Sequence, residues 1–422
     1  MRQMAGIACG IVDLEESVSD MGKVFSGDRL GVRPEDAARA LRDAPGFVYL
    51  DSAVEAAGAI SLIAVEPDLV LSGTPGDWHL LESELALRSR PSADLGIPQG
   101  AAVGWLGFDG SFSFGFYENP FLFAHGEGRW ISGPPPHCRA ASASKRAMPD
   151  FLPCLDEGAF SSMVLRAKEY IAAGDIYQVC LAHPFRTAFE GDAFGYYQAL
   201  RQVSPAPYSA FLDLAGVQVA SSSPECFLEI SGREISTRPI KGTRPRSADP
   251  VADERAAYEL LTSPKEIAEL VMITDLERND LGRVCEFGTV RVPSMLKLER
   301  FQQVHHLVST VRGTLRPGIS HASALLSCSP GGSISGAPKN RALEIIRELE
   351  PYPRGLYTGA IGYFGFNGES RFSIAIRTAV FAGGRGEFSV GAGIVADSLP
   401  GREWQETLDK AAGLLAAAEF RR

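Results

Sequence analysis

Apolar residues run in short blocks or alternate with polar ones through much of the chain, and glycine, proline or small polar clusters bound the blocks. Phe47-Val48-Tyr49-Leu50, Ile60-Ser61-Leu62-Ile63-Ala64-Val65 and Leu69-Val70-Leu71 read as a strand meander within residues 45–75. Residues 101–108 form a further buried strand, with glycines for close packing. The aromatic run over residues 112–123 suits a core or a subunit face better than a cofactor box. From Asp156 the period changes. Phe160, Met163, Val164, Ala167, Tyr170 and Ile171 recur at helical spacing, and Gly174 ends that helix. Strands are predicted from Ile176, at 217–222 and at 225–230, and Ser231-Gly232 turns the chain into Glu234-Ile235-Ser236.

Residues 253–261 are helical. Ser263-Pro264-Lys265-Glu266 then opens a second helix: Ser caps it, Pro suits its first position, and Glu three residues after the Ser completes a capping box. That helix is expected to run to about Asp275. Strands follow at 289–292 and 304–311. A Gly/Ser loop at 329–337 feeds a helix over 338–350, whose Ala342, Ile345, Ile346 and Leu349 share one face. Strands at 360–366, 372–381 and 387–395 and a helix from about 402 to 420 close the chain. There is no internal repeat and no βαβ alternation, so the pattern predicts an α+β fold with mainly antiparallel sheet. Residues 124–150, rich in Gly, Pro, Ser and Ala, are the linker candidate. They separate an N-terminal part, 1–123, from a region, 151–422, that holds most of the candidate chemistry.

Composition narrows the function classes. With 45% hydrophobic and 22% charged residues, the 422-residue chain has an ordinary soluble balance. A net charge of −10 argues against a nucleic-acid binder. No apolar run is long enough to span a membrane, and the start, residues 1–12, is a poor signal peptide. Seven dispersed cysteines without CxxC spacing suit a reduced compartment, hence a cytoplasmic protein.

Against this acidic background one stretch is basic: Thr237-Arg238-Pro239-Ile240-Lys241-Gly242-Thr243-Arg244-Pro245-Arg246. It reads as an anion-facing strand and turn presenting one reactive amine, Lys241; a solvated basic hairpin is the alternative. Glu266 with Glu269, and Glu403 with Glu406, each place two carboxylates on one helix face, as a hard divalent cation such as Mg²⁺ requires. Glu266 also fits a capping role alone, and Glu406 fits an ion pair with Lys410. Glu225, where a strand begins, is a candidate general acid or a surface carboxylate. Of His305-His306, one faces the core side of a strand. The Gly/Ser loop is not a Walker A loop, because Ala337-Pro338 stands where Lys-Ser/Thr is needed. Its amides at a helix start can still meet an anion, or simply cap a turn.

Several strings in this order resemble the chorismate-utilising enzymes, the family of anthranilate, aminodeoxychorismate, isochorismate and salicylate synthases. They are Ser223-Pro224-Glu225, Pro239-Ile240-Lys241-Gly242-Thr243, Asp275-Leu276-Glu277-Arg278-Asn279-Asp280-Leu281, Ser335-Gly336-Ala337-Pro338-Lys339, Arg354-Gly355-Leu356-Tyr357-Thr358-Gly359 and Gly391-Ala392-Gly393-Ile394-Val395. The resemblance covers about residues 156–418. It implies an anthranilate synthase component I-like fold: antiparallel sheets forming a β-sandwich core, with helices packed outside.

The resemblance also implies roles. Lys at 241, where anthranilate and salicylate synthases carry Ala, is similar to the aminodeoxychorismate synthase component I branch, as is Pro330-Gly331-Gly332-Ser333-Ile334. Gln178 stands where isochorismate and salicylate synthases place a lysine base. On this likeness the chain is expected to be a transferase for 4-aminobenzoate and folate synthesis. Thr243, His306, Gly336, Ala337, Tyr357, Arg377, Ala392, Gly393 and Lys410 would hold chorismate. Mg²⁺ would sit on Glu266, Glu269, Glu403 and Glu406. Glu225 would protonate the departing C4 hydroxyl, and Lys241, kept neutral by Arg238, Arg244 and the metal, would add at C2. Ammonia would come from a separate glutamine amidotransferase subunit, since no glutaminase triad is present. Ser204 stands where the family commonly has Asn, and Asp51-Ser52 only partly matches the tryptophan-binding segment of feedback-regulated relatives. The alternatives are anthranilate synthase component I and a chorismate-binding subunit without turnover.

Overall fold

Two antiparallel sheets face each other in the computed structural model, which describes residues 32–53, 59–90, 96–133, 135, 148–300 and 304–420. The first sheet runs, in spatial order, Gly336–Ala337, Gln178–Ala188, Arg385–Ile394, Thr378–Ala382, Val217–Ser223, Tyr208–Leu214, Val48–Asp51, Ile60–Ala64, Phe121–Ala124, Arg129–Trp130. The second runs Ile240–Pro245, Val304–Thr314, Glu234–Thr237, Cys226–Ser231, Glu369–Ile374, Ala360–Gly365, Ala101–Leu106, Phe112–Tyr117, Leu69–Gly73. Val48, Leu62, Leu122 and Leu212 of the first sheet share one buried cluster with Ala101, Val103, Tyr117 and Ile361 of the second, which is the sandwich interface. The α+β sandwich expected from the sequence is the fold of the chain.

Three readings change. The strands within 45–75 do not form one meander: Leu69–Gly73 leaves its neighbours and pairs with Phe112–Tyr117 in the second sheet. The apolar run 372–381 is two strands. Glu369–Ile374 belongs to the second sheet and Thr378–Ala382 to the first, with a corner at 375–377 where Arg377 takes the left-handed φ of 49°. The helix expected to stop near Asp275 runs Pro264–Gly282, because Glu277 and Asp280 are buried and continue its inward face with Leu270, Ile273 and Leu281.

Ser263 caps its helix as read, but no bond from the Glu266 side chain back to Ser263 closes the capping box among the described residues, and Asp156 caps a helix that was read without a cap. The Asp156 side chain accepts from the Ala159 amide at 2.8 Å at the start of the helix Glu157–Ala172. Ser263 accepts from the Glu266 amide at 3.4 Å at the start of Pro264–Gly282. The helix Ala193–Val203 had no sequence signature, because Phe194, Tyr196, Tyr197, Ala199 and Leu200 are all buried and leave no clean polar stripe. It packs with the C-terminal helix Pro400–Glu419 against the first sheet.

Residues 134 and 136–147 of the 124–150 linker lie outside the described residues, as do the start of the chain, Cys9 and Cys138. Strands from before the linker are hydrogen-bonded to strands after it in both sheets: Val48–Asp51 to Tyr208–Leu214, and Ala101–Leu106 to Ala360–Gly365. Cys154, Cys180, Cys226, Cys285 and Cys328 carry free thiols. No helix among the described residues is long and apolar enough to cross a membrane.

Candidate functional site

The chain crosses between the two sheets at two adjacent places, and the candidate site is built on them. Val217–Ser223 in the first sheet passes through Pro224 and Glu225 into Cys226–Ser231 of the second. Glu369–Ile374 returns to the first sheet through the corner at Arg377. The crossings are tied together, since the Ile374 amide donates to the Glu225 carbonyl at 3.1 Å and the Ser222 amide to the Arg377 carbonyl at 3.0 Å. Glu225 and Arg377 therefore open into one cavity of about 660 Å³.

Ile240–Pro245 is the edge strand of the second sheet, and its register slips between Lys241 and Thr243. Gly242 is the bulged residue, at φ 76°, and a Cβ there would stand 2.5 Å from Leu260 and 3.0 Å from Glu266. With the bulge, residues 240–244 all border the cavity. Lys241 Nζ donates to the Ser333 carbonyl at 3.3 Å. Burial opposes its charge, yet Cys180, Glu225, Glu269 and Glu406 together hold the ammonium above the ordinary lysine range. The expected cationic surroundings of this amine are absent. Arg238 is turned to Glu299 at 2.6 Å, and Arg244 lies 3.5 Å from Glu266. The groups that hold the Lys241 ammonium are the Cys180 thiol and then the Glu225, Glu269 and Glu406 carboxylates. Burial raises Glu225, against the pull of Lys241 and the Ile240 backbone.

Two helices bring the carboxylates. Glu266 and Glu269 come from Pro264–Gly282, Glu406 from Pro400–Glu419, and all three border the cavity. Burial raises Glu269 against the pull of Lys241 and Lys265, and the charges of Glu266 on its own helix and Glu406 on the other add to the rise. Each carboxylate is turned to a cation: Arg244 to Glu266, Lys265 to Glu269 at 3.8 Å, Lys410 to Glu406 at 2.7 Å. Glu403, on the same helix as Glu406, is buried and is not among the residues that border the cavity, and its Oε2 has no hydrogen-bond partner among the described residues. No group of three or more described His, Cys, Asp or Glu side chains stands in a metal-holding arrangement. The donor set nevertheless fits Mg²⁺, since it offers only hard oxygens and includes one buried acceptor left unsatisfied.

The opposite wall suits an anion. Arg377 forms no ion pair among the described residues, and burial lowers its pKa. Thr243 Oγ1 and His306 Nδ1 lie 3.0 Å apart, and burial, then Arg377, lowers His306 to about 4, so its ring is neutral. His305, its neighbour, is the core histidine, 3.0 Å from Asp253. Tyr357, Ala392, Gly393 and Lys410 also border the cavity. Past Phe388 the strand Arg385–Ile394 has no partner from Thr378–Ala382, which leaves residues 389–394 open on that side. Gly336 and Ala337 stand elsewhere: they pair with Val179 and Gln178 as a two-residue strand, and a Cβ at Gly336 would lie 2.3 Å from the Gln178 carbonyl.

Two contributors were invisible in the sequence. Ser333 acts through its backbone carbonyl, which no residue type reports. Arg354, buried in an ion pair with Glu350, also donates to the Ile334 and Cys180 carbonyls at 3.0 and 2.8 Å, so it locks the loop to the strand Gln178–Ala188.

A family model for chorismate binding enzyme matches residues 104–416. Anthranilate synthase component 1 of Thermus thermophilus is 47% identical over 292 residues, which is 69% of this chain and 63% of that protein. Aminodeoxychorismate synthase component 1 of Bacillus subtilis is 44% identical over 264 residues, 63% of this chain and 56% of that protein. The chain thus spans less than two thirds of either relative's length. Anthranilate synthase component I from Streptococcus pneumoniae superposes with a TM-score of 0.76 at 29% identity, over 86% of this chain and 93% of that one.

Proposed function

The chain belongs to the chorismate binding enzymes, and from that premise we propose that it aminates chorismate at C4, giving 4-amino-4-deoxychorismate, with Lys241 as a covalent nucleophile. The observation that carries this reading is the position of Lys241: it borders the same cavity as Glu225, and each feels the other's charge.

Arg377, with no carboxylate of its own among the described residues, suits one carboxylate of the dianionic substrate. Lys410 and the backbone at Ala392 and Gly393 suit the other. Mg²⁺, held by Glu266, Glu269, Glu403 and Glu406, would neutralise the ring carboxylate and polarise the ring.

The resting ammonium of Lys241 is not a nucleophile. One proton passed from Lys241 to Glu225 makes both residues reactive, as free amine and as acid. Burial acts on both in that direction, raising Glu225 and opposing the charge on Lys241. The Lys241 nitrogen then bonds to C2 while the C4–O bond breaks, and the hydroxyl takes the Glu225 proton and leaves as water. Ammonia bonds to C4, the C2–N bond breaks, and Lys241 departs as the amine; Glu225 regains a proton from solvent. The sum is chorismate plus ammonia giving aminodeoxychorismate and water. The relatives are named as component 1, and for this chain we assign the ammonia supply to a separate glutamine amidotransferase subunit.

A second reading, amination at C2 to anthranilate, is favoured by the 47% identity to an anthranilate synthase component 1. One assay separates the two. Purified chain, chorismate, Mg²⁺ and ammonium salt are incubated and the product is identified by mass spectrometry and fluorescence. Aminodeoxychorismate is expected. Anthranilate would favour the second reading, and chorismate bound but not consumed would leave only a binding subunit.

A further inference from the structure

The helix Pro264–Gly282 carries a second, buried pair of acids three turns beyond Glu266 and Glu269. The two acids do different things. Asp280 forms an ion pair with Lys339, whose Nζ also donates to the Pro330 carbonyl at 2.8 Å. Glu277 has no such cation on it. Its Oε1 accepts the Gly332 amide at 2.9 Å, and its Oε2 is buried with no hydrogen-bond partner among the described residues.

Gly332 opens the short turn Gly332–Ile334, and the next residue is the one whose carbonyl Lys241 meets. The Ser333 carbonyl receives Lys241 Nζ at 3.3 Å and the Cys180 thiol at 3.6 Å, while the Ser333 hydroxyl is buried without a hydrogen-bond partner among the described residues. The fit is tight: a Cβ at Gly332 would stand 2.7 Å from Leu276 and 3.1 Å from Glu277 Oε1. The turn therefore has no room to settle onto the helix by another route.

We infer that Glu277 is a positioning residue: by accepting the Gly332 amide it fixes the Ser333 carbonyl, and through it the placement of Lys241 relative to Glu225. The inference rests on the assignment of the chemistry to those two residues. It needs the reach of the Glu277 side chain and not its charge, which separates it from the metal carboxylates on the same helix. Misplacing reacting groups by about 1 Å costs about 10²-fold in rate.

Two variants of the full chain divide reach from charge. Glu277→Gln keeps the length and an acceptor oxygen. Glu277→Asp keeps the charge and withdraws the acceptor by one methylene. Chorismate consumption with Mg²⁺ and ammonium, whatever the product, is expected to stay within about threefold of wild type for Gln. For Asp, kcat is expected to fall about 10²-fold at nearly unchanged KM. Hydrogen exchange of the peptide spanning residues 329–337 supplies a readout that needs no activity: protection is expected in wild type and Gln and lost in Asp. An Asp variant as active or as protected as wild type, or a Gln variant as impaired as Asp, overturns the inference. Failure of both variants to fold would assign Glu277 to the core alone and overturn it too. A wild-type chain that consumes no chorismate would overturn the proposed reaction, and the exchange data would still decide the role of Glu277.

Discussion

Lys241 Nζ lies 3.3 Å from the carbonyl oxygen of Ser333, and this contact joins two parts of the sandwich. Lys241 stands on the edge strand of the second sheet. Ser333 belongs to a loop held on the first, where the Cys180 amide donates to the Ser335 carbonyl at 2.8 Å. The amine is thus held between the sheets, at the place where Glu225 and Arg377 cross from one to the other.

If Lys241 adds to the substrate before ammonia does, withholding ammonia stalls the enzyme at the adduct. Incubation with chorismate and Mg²⁺ alone is expected to shift the mass of the peptide containing Lys241 by chorismate less one water. An unshifted peptide under these conditions would speak against the covalent step.

The metal assignment predicts that chelation abolishes chorismate consumption and that added Mg²⁺ restores it. Glu269→Gln is expected to raise the Mg²⁺ concentration needed for half-maximal activity by about tenfold or more. It should equally blunt the rise in melting temperature that Mg²⁺ gives the wild-type protein. A variant with wild-type Mg²⁺ dependence in both measurements would remove Glu269 from the ligand set.

Side chains that meet at the cavity were legible in the sequence because their types are informative: a lysine in an acid-free stretch, a glutamate at a strand start, and carboxylates at helical spacing. The geometry that joins them was less so. The run 372–381 is apolar throughout and gives no sign that it changes sheets at Arg377. Glu277 and Asp280 look like the polar end of a helix, and only their burial extends it to Gly282. Gly336 and Ala337 read as anion-binding amides, but their backbone is used in sheet pairing. The basic stretch suggested that cations surround Lys241. Arg238 and Arg244 are instead drawn to Glu299 and Glu266, and Arg246 to Asp253.

Burial, then the Asp280 charge, raises Glu277 from 4.5 to about 7. Between those values the native state holds a proton that the unfolded chain has lost. The contribution of this group to stability is therefore fully present below the lower value and disappears as pH rises through the upper one. Glu277→Gln removes the titration. The melting temperature of the Gln variant relative to wild type is expected to climb between about pH 5 and about pH 8; a constant difference would contradict the assignment.

Arg354 and Glu350 form an ion pair whose side chains are 3% and 5% exposed. Removing one partner of such a pair costs about 3–5 kcal/mol. Arg354→Met is expected to lose stability on that scale in urea unfolding, and the double variant with Glu350→Leu to recover part of it. Additive losses would show that the two side chains act independently.

The central claim, that Lys241 directs amination to C4, is tested most directly by the products of the purified Lys241→Ala protein with chorismate, Mg²⁺ and ammonium. Loss of 4-amino-4-deoxychorismate formation by about 10³-fold or more is expected in protein that remains folded, with any residual product being anthranilate. Formation of 4-amino-4-deoxychorismate at the wild-type rate would contradict the account.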